Sequence, residues 1–459
     1  MKIKLNKPMI ATILALAWPT MLEQLMQTAV QYIDTAMVGT LGTHATAAVG
    51  ATTTVNWLIS GSISALSVGF LAFIAQAYGA GDKKAASQAV SQAVLVTLIV
   101  GTVFTALTLS LSGLIPVWMQ VDEPIRDLAG MYFFILYLPM LPRTATIIFG
   151  TALRAAGDTK TPMKIGIFVN AVNVVLNFLL IYPSRTWTVF GHSLQIYGAD
   201  LGVTGAAAAS AIAFLLGGIQ ITFALWKHPV ISPKGSSLKP DGEILKPCLK
   251  VAMPNMLQRF GTSLGYVAFA AMINSLGEVA TAAHTIANTV ESAFYIPGYG
   301  MQTAAATLAG NAYGAKDKQR MKDLTAMFIP IEITLMILSG GLLFICAHGL
   351  VDIFSDSPDV VHLGTTVLKM VALSEPFYGF SIIIEGMMLG IGNTRRPFAY
   401  NILGMWGVRI VGTFICTQLF GMGLISAWAC MIAHNLLIFA LYLYSFLSKT
   451  WNPLEGKGL

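Results

Sequence analysis

Charge is scarce in this sequence. Asp, Glu, Lys and Arg together make up 10% of its 459 residues, while hydrophobic residues make up 55%. Soluble domains carry about 25% charged residues, so that class is excluded. Cysteine is scarce as well. Cys248, Cys346, Cys416 and Cys430 lie far apart in the chain. They have no metal or redox spacing, which excludes a disulfide scaffold and a zinc ribbon. The seven histidines are scattered and form no His-x-x-x-His pair. There is no P-loop, no nucleophile elbow and no paired-acid catalytic loop. Neither an enzyme nor a bound cofactor is expected, and without an ATP site any work must draw on an ion gradient.

What the chain does contain is apolar runs of about 20 residues from end to end, the mark of a polytopic membrane protein. Polar residues punctuate the first run and no small-residue cleavage site follows it, so it does not read as a cleaved signal. Twelve helices are expected, at about 10–37, 46–77, 86–116, 126–153, 162–183, 201–226, 248–275, 281–312, 321–346, 361–389, 398–420 and 423–448. Twenty-one of the 27 basic residues fall on one side of this arrangement, from Lys2, Lys4 and Lys7 to Lys449 and Lys457. The other side has Arg126 and Arg185. The positive-inside rule then makes both termini cytoplasmic, with an inner (cytoplasmic) membrane location. The net charge of +6 belongs to those loops, and no nucleic-acid partner is implied. Arg143, Arg259, Lys369 and Arg409 fall within spans. Lys369 is expected to snorkel, and Arg259 to pair with Glu291, Glu375 or Glu385.

The chain also repeats itself at an offset of 235 residues. Pro19, Met21 and Leu22 fall on Pro254, Met256 and Leu257. ATAA at Ala45–Ala48 falls on ATAA at Ala280–Ala283, and AYGAGDK at Ala77–Lys83 on AYGAKDK at Ala312–Lys318. Gly157, Thr159 and Pro162 fall on Gly392, Thr394 and Pro397. This is a duplication. Each half holds an even number of helices, so the halves run in the same sense. The expected fold is all-α, twelve transmembrane helices in two six-helix lobes about a pseudo-two-fold along the membrane normal. The lobes are 1–227 and 248–459, with 228–247 as a cytoplasmic linker. The lobes are expected to surround a central cleft, with substrate and ion sites near the midplane and one lobe rocking against the other.

The first helix carries acids. An ionised carboxylate in hydrocarbon costs several kcal/mol, so such groups face a cavity or a partner. Glu23, Gln27 and Asp34 share one face at ~100° per residue, and Pro19 offers a bend point beside them. By the repeat, Asp34 corresponds to Phe269 and Glu23 to Gln258. An acid kept in one lobe alone points to a task there. On the fifth helix, Asn170, Asn173 and Asn177 gather on one side. Carboxylate and amide oxygens suit a hard cation such as sodium at Asp34, Asn173 and Asn177, and equally a proton held by a hydrogen-bonded carboxyl. Ser210 is the hydroxyl in the small-residue run of the sixth helix. Glu291 is one-sided too, its repeat partner being Asn56, and Pro297, Gly298 and Gly300 loosen the helix after it. Glu23, Gln27, Asn170, Tyr32, Glu291, Tyr295 and Tyr299 are the candidates for a substrate cavity. Methionines and aromatic faces would suit small organic cations.

The stretches WPTMLEQ…YIDTAMVGTLG, AQAYGAGDK, ALRAAGDTKTP and NAVNVVLN, with the echoes AGNAYGAKDK and LGIGNTRRP, resemble the multidrug and toxic compound extrusion (MATE) family over almost the whole chain. The resemblance implies twelve helices in two V-shaped lobes. It also implies export of cationic or polyaromatic compounds in exchange for protons or sodium ions. Asp34 matches the family's first-helix acid and Pro19 its bend-forming proline. Asn173 and Asn177 match the fifth-helix pair of the N-lobe ion site, and Ser210 stands where a threonine often does. Where the NorM-like branch has a glutamate on the seventh helix and an aspartate on the tenth, this chain has Thr262 and Tyr378 nearby, so it looks more like the DinF-like branch. The expectation is a cation-coupled multidrug antiporter working by alternating access, as a monomer in the bilayer. The alternative is a lipid-linked saccharide flippase, for which Arg143, Arg259 and Arg409 would have to bind a pyrophosphate. A channel, a receptor or a membrane-embedded enzyme fits less well.

Overall fold

The computed structural model describes residues 7–189 and 192–454. Lys2, Lys4 and Lys457, used above to orient the chain, lie outside the described residues. The first half runs α1 (Lys7–Gly39), α2 (Thr43–Gly79), α3 (Lys83–Leu111), a short α4 (Ile115–Trp118), α5 (Glu123–Tyr137), α6 (Met140–Ala155), α7 (Lys160–Leu180) and α8 (Gly202–Lys227). The second runs α9 (Gly242–Asn274), α10 (Glu278–Phe294), α11 (Ile296–Gly314), α12 (Lys318–Asp352), α13 (Pro358–Ala372) and α14 (Glu375–Gly390). It ends with α15 (Arg395–Ile402), α16 (Val411–Phe414) and α17 (Leu424–Leu447), with α15 and α16 joined by a π-helical stretch, Leu403–Ile410.

Among the described residues, eight helices are each long and apolar enough to cross a bilayer. Two pairs bent at short breaks, α5–α6 by 50° and α13–α14 by 53°, make two more spans. The remaining rods, α9 and α10–α11, complete the twelve. They carry Gln258, Arg259 and Thr262, and Asn288, Glu291 and Gln302, all of which line a cavity. A face turned to water has no need to be apolar. A β-hairpin, β1 (Pro183–Val189) paired antiparallel with β2 (His192–Ala199), joins α7 to α8. It was not anticipated. Its residues lie between two apolar runs and read as a simple loop.

The duplication extends to the turns. Asp82 caps α3 by accepting from the Ala85 amide at 2.9 Å, and its repeat mate Asp317 caps α12 by accepting from the Arg320 amide at 2.9 Å. One residue before each cap the backbone is left-handed, at Gly81 (φ 73°) and Lys316 (φ 54°). Glycine takes that conformation without strain and lysine does not. This explains the motif AYGAxDK as a helix stop followed by a start.

Each lobe has its own apolar core, but the first helix of each half starts in the other lobe. Ile13 and Ala17 of α1 pack among Met301, Ala305 and Leu308 of α11 and Met387 of α14. Val38, at the far end of α1, packs with Ala45, Ile181 and Val203 of the first lobe. Reciprocally, Ile244 and Cys248 of α9 belong to the first lobe's core. The lobes therefore exchange helix starts, and Pro19 sits close to where α1 passes from one to the other. At this basic end the lobes meet along α2 and α11. A Cβ on Gly79 would strike the backbone of Asn311, and one on Gly314 the backbone of Gln76. These are the same contact read from each side of the two-fold axis. The linker is shorter than expected because α9 begins at Gly242. It is strapped along α3, where the Ser87 and Ser91 hydroxyls donate to the carbonyls of Ser232 (2.6 Å) and Ser237 (2.8 Å). Gln92 spans the carbonyl of Lys239 and the amide of Asp241.

Candidate ion and substrate sites

In the first lobe α1, α7 and α8 bring Asp34, Asn173, Asn177 and Ser210 together. Asn177 Nδ2 donates to Asp34 Oδ1 at 2.5 Å. The orientation of the Asn173 amide that satisfies both its ends points Nδ2 at the same Asp34 oxygen, 2.9 Å away, and lets Oδ1 accept from Ser210 Oγ at 3.0 Å. Asn173 and Asn177 are buried, and Asp34 is half-buried. Asp34 forms no ion pair among the described residues; its partners are neutral amides. Asn177 Oδ1 is buried and accepts no hydrogen bond. The cluster is thus a carboxylate held by donors, beside an amide oxygen with its lone pairs unused. All its oxygens are of the hard type that suits a proton or a small cation.

The other first-helix candidates lie elsewhere. Glu23 pairs with Arg154, at 2.8 Å to each carboxylate oxygen, and this is the ion pair recorded among the described residues. It therefore has a permanent basic partner, toward the basic end. Gln27 is exposed, Tyr32 is 47% exposed and Asn170 is half-buried. A short way off, Arg143 donates to Ser60 Oγ at 2.8 Å and lies over the rings of Phe214 and Tyr137.

The second lobe holds a cavity of about 640 Å³, closed on one side by Trp57 and Ser62 of α2. Glu291, Tyr295 and Tyr299, three of the substrate-cavity candidates, line it. Glu291 is buried and accepts from the Tyr295 hydroxyl at 2.5 Å; the rings of Tyr295 and Tyr378 are 5.0 Å apart. Glu385 accepts from Gln258 (2.8 Å) and Asn401 (3.2 Å). The expected ion pair of Arg259 with Glu291, Glu375 or Glu385 is absent among the described residues. Gln258 and Tyr295 have taken Glu385 and Glu291 instead, both Glu375 oxygens are buried without a hydrogen-bond partner, and Arg259 is left exposed on the cavity wall. Lys369 lies over Phe344 at 5.5 Å.

Three further residues of this cavity were not among the substrate-cavity candidates. Arg409 is buried and lies 4.1 Å over the Phe269 ring and 5.0 Å over Tyr266. His284 and His434 line the same cavity. In the sequence Arg409 read as a charge within a span and, under the flippase alternative, as a pyrophosphate ligand, and the histidines as scattered. The signal available was that Arg409 falls opposite Asp34's counterpart, Phe269, once the helices are paired as in the first lobe.

The MatE family model matches residues 19–179 and 254–415, once in each lobe. A probable multidrug resistance protein NorM from Thermotoga maritima is 27% identical, with 96% of this chain and 92% of that protein aligned. A probable multidrug resistance protein YoeA from Bacillus subtilis is 25% identical, over 94% and 93%. Among solved structures, an outward-facing MATE family transporter of the MOP superfamily superposes with a TM-score of 0.87 at 22% identity, covering 98% of this chain and 97% of that one. A MOP superfamily transporter from Pyrococcus furiosus superposes equally well, with the same coverage. The two family matches fall on the two repeats, and together they span most of both lobes. This chain belongs to the MatE family of membrane transporters.

Proposed function

We propose that the protein is a cation-coupled multidrug antiporter that exports cationic or polyaromatic organic compounds by alternating access. The coupling ion is a proton or sodium, and it acts at Asp34. The names of the relatives support the multidrug reading. The observation that carries the coupling reading is Asp34 itself, a half-buried intramembrane carboxylate with amide donors and no basic partner. Ionised, it accepts charge-assisted hydrogen bonds from α7 and can hold a cationic substrate. A proton would neutralise it. A sodium ion would do the same and would draw the amide oxygens of Asn173 and Asn177 inward. Either change removes the charge that ties α1 to α7 and releases the substrate's counter-charge. The shift is taken up near Pro19, where the helix lacks a backbone hydrogen bond. The basic end faces the cytoplasm of a cell whose inner membrane the protein spans, both termini included, and it works as a monomer.

The test is dye efflux in inverted vesicles, driven first by a pH gradient and then by a sodium gradient, with Asp34 and with Asp34→Asn. One gradient drives the wild type. The variant loses about a hundredfold of the gradient-driven rate, the scale of the ~3 kcal/mol held by hydrogen bonds to a charge. Undiminished coupled efflux in Asp34→Asn would defeat the mechanism.

A further inference from the structure

The second-lobe cavity has a chemistry that cation export does not use. Arg409 is 4% exposed. Its Nε is buried with no hydrogen-bond acceptor, and it forms no ion pair among the described residues. Two aromatic faces shield the guanidinium, Phe269 and Tyr266, but a ring face leaves the in-plane N–H groups without acceptors. His434 is 6% exposed, and both its ring nitrogens are buried without a partner. His284 Nδ1 accepts from Trp428 Nε1–H at 3.2 Å, so the neutral ring keeps its proton on Nε2 as a further donor. Arg259 adds a second, exposed guanidinium to the same cavity.

Glu291 lies within electrostatic reach of Arg409, and Glu385 of Arg259, but neither acid forms an ion pair with them among the described residues. One Glu291 oxygen accepts from Tyr295, and one Glu385 oxygen accepts from Gln258 and Asn401. Among the described residues, the buried polar atoms of the cavity that lack a partner are Arg409 Nε, both ring nitrogens of His434 and one acceptor, Gln258 Oε1, so a guanidinium and an imidazole dominate. Burial of an unpaired guanidinium is costly, and a bound anion is the usual remedy. The backbone points the same way. Arg409 lies in the π-helical stretch Leu403–Ile410, whereas the repeat-equivalent part of α7 is regular α-helix. Such widened turns recur at functional sites. The volume, about 640 Å³, is that of a small-molecule pocket.

We infer that this cavity holds a subsite for an organic oxyanion. A carboxylate or phosphate on an apolar body is received by Arg409, with Arg259 and His434 beside it and the tyrosine rings against the body. The inference does not depend on Asp34 or on the coupling ion. The oxyanion could come from a soluble aromatic acid or from a lipid pyrophosphate, and the experiment separates these sources.

The protein is placed in nanodiscs of zwitterionic lipid. Binding of 2-naphthoate, 2-naphthylmethylammonium and farnesyl pyrophosphate is measured by calorimetry. Naphthoate is expected to bind, and Arg409→Gln to weaken it by about tenfold or more, the cost of one charge-assisted bidentate contact. The ring-matched ammonium should be unaffected or bind more tightly, and Lys369→Gln, away from the cavity, should change nothing. If farnesyl pyrophosphate displaces naphthoate, the lipid is the source; if naphthoate resists it, the soluble acid is. Either result supports the subsite. Because Arg409→Gln could destabilise the fold, the wild type supplies a second readout. Naphthoate, but not the ammonium, should protect Arg259 from phenylglyoxal, read by mass spectrometry. Absence of naphthoate binding to the wild type, or equal weakening of acid and ammonium in Arg409→Gln, overturns the inference. Lost efflux in Asp34→Asn with naphthoate binding intact would show the two sites to be separate.

Discussion

The first helix of each lobe begins alike and ends differently. α1 and α9 each start inside the opposite lobe and carry a proline at the same repeat position, Pro19 and Pro254. Further along, α1 presents Asp34 to two asparagines, while α9 presents Phe269 to a guanidinium. The same offset places Val408 and Gly412 opposite Asn173 and Asn177. A second inversion lies nearer the basic end. Glu23 of α1 is met by Arg154, whereas Gln258 of α9 is met by Glu385, whose own counterpart is Gly150. Duplication gave two equal scaffolds. At these polar positions the two halves differ in which member of a pair is charged: Asp34 and Glu23 correspond to Phe269 and Gln258, and Gly150 to Glu385.

The largest effect tests that division directly. Asp34→Asn keeps size and hydrogen bonding but removes the charge, and coupled efflux should fall as described above. Phe269→Leu, the matching change in the second lobe, should leave coupling in place. It trims a buried ring by a near volume-conserving swap and should cost less than about 1.5 kcal/mol of stability. Melting temperature and vesicle efflux measured on both variants give the contrast. Coupling lost equally from both would mean that the lobes share the task.

How much of this could be read from the chain follows the same line. The duplication and the twelve rods were legible, because each rests on spacing along one helix or on a fixed offset; Asp34, Asn173 and Asn177 stood out as polar residues in apolar spans, and the resemblance to the MATE family joined α1 to α7. The Glu23–Arg154 pair was not, because it joins α1 to α6 across space. The cavity of the second lobe was half legible. Glu291 and the tyrosines stood out as polar residues in apolar spans, but the acids expected to pair with Arg259 included Glu385 and Glu291, which Gln258, Asn401 and Tyr295 engage. Partner choice among several buried charges depends on distances that a sequence does not contain.

Next in size is the seam where the lobes are identical. Gly79 lies on Asn311 and Gly314 on Gln76. A side chain at either glycine must force α2 and α11 apart. Gly79→Leu and Gly314→Leu should each open the basic end and cut efflux by about tenfold or more, the rate equivalent of the 1–3 kcal/mol typical of overpacking. The two should match one another. Labelling of a cysteine placed in the seam, from the basic side, would check this. Strongly unequal effects would break the two-fold argument.

A smaller effect is expected at Glu23. Glu23→Gln strands Arg154, whose side chain is 19% exposed. A loss of roughly 1–3 kcal/mol is expected for a donor group left unmatched. Gln258→Glu, the reverse change in the other lobe, sets a second carboxylate beside Glu385 and should destabilise by a similar amount at neutral pH and less in acid. Chemical or thermal unfolding in detergent measures both.

The smallest expected effect lies in the linker that only one lobe boundary possesses. His228 Nδ1 accepts from the amides of Val230 and Ile231, both at 3.2 Å, and so it must be unprotonated there. Burial holds its pKa below the usual imidazole value, with Asp158 nearby opposing the shift. A base whose folded pKa is depressed favours folding above its unfolded pKa, near 6.5. That contribution is lost as pH falls from there through the folded value. The wild type should therefore lose slightly more melting temperature between pH 7.5 and pH 5 than His228→Gln, whose amide oxygen can still accept from the two amides. Because the linker lies along α3, the effect should appear as faster proteolysis between Pro229 and Pro240 in acid. It should not change coupling. A pH-dependent coupling change in His228→Gln would mean that the strap holds the lobes' relative position as well as their connection.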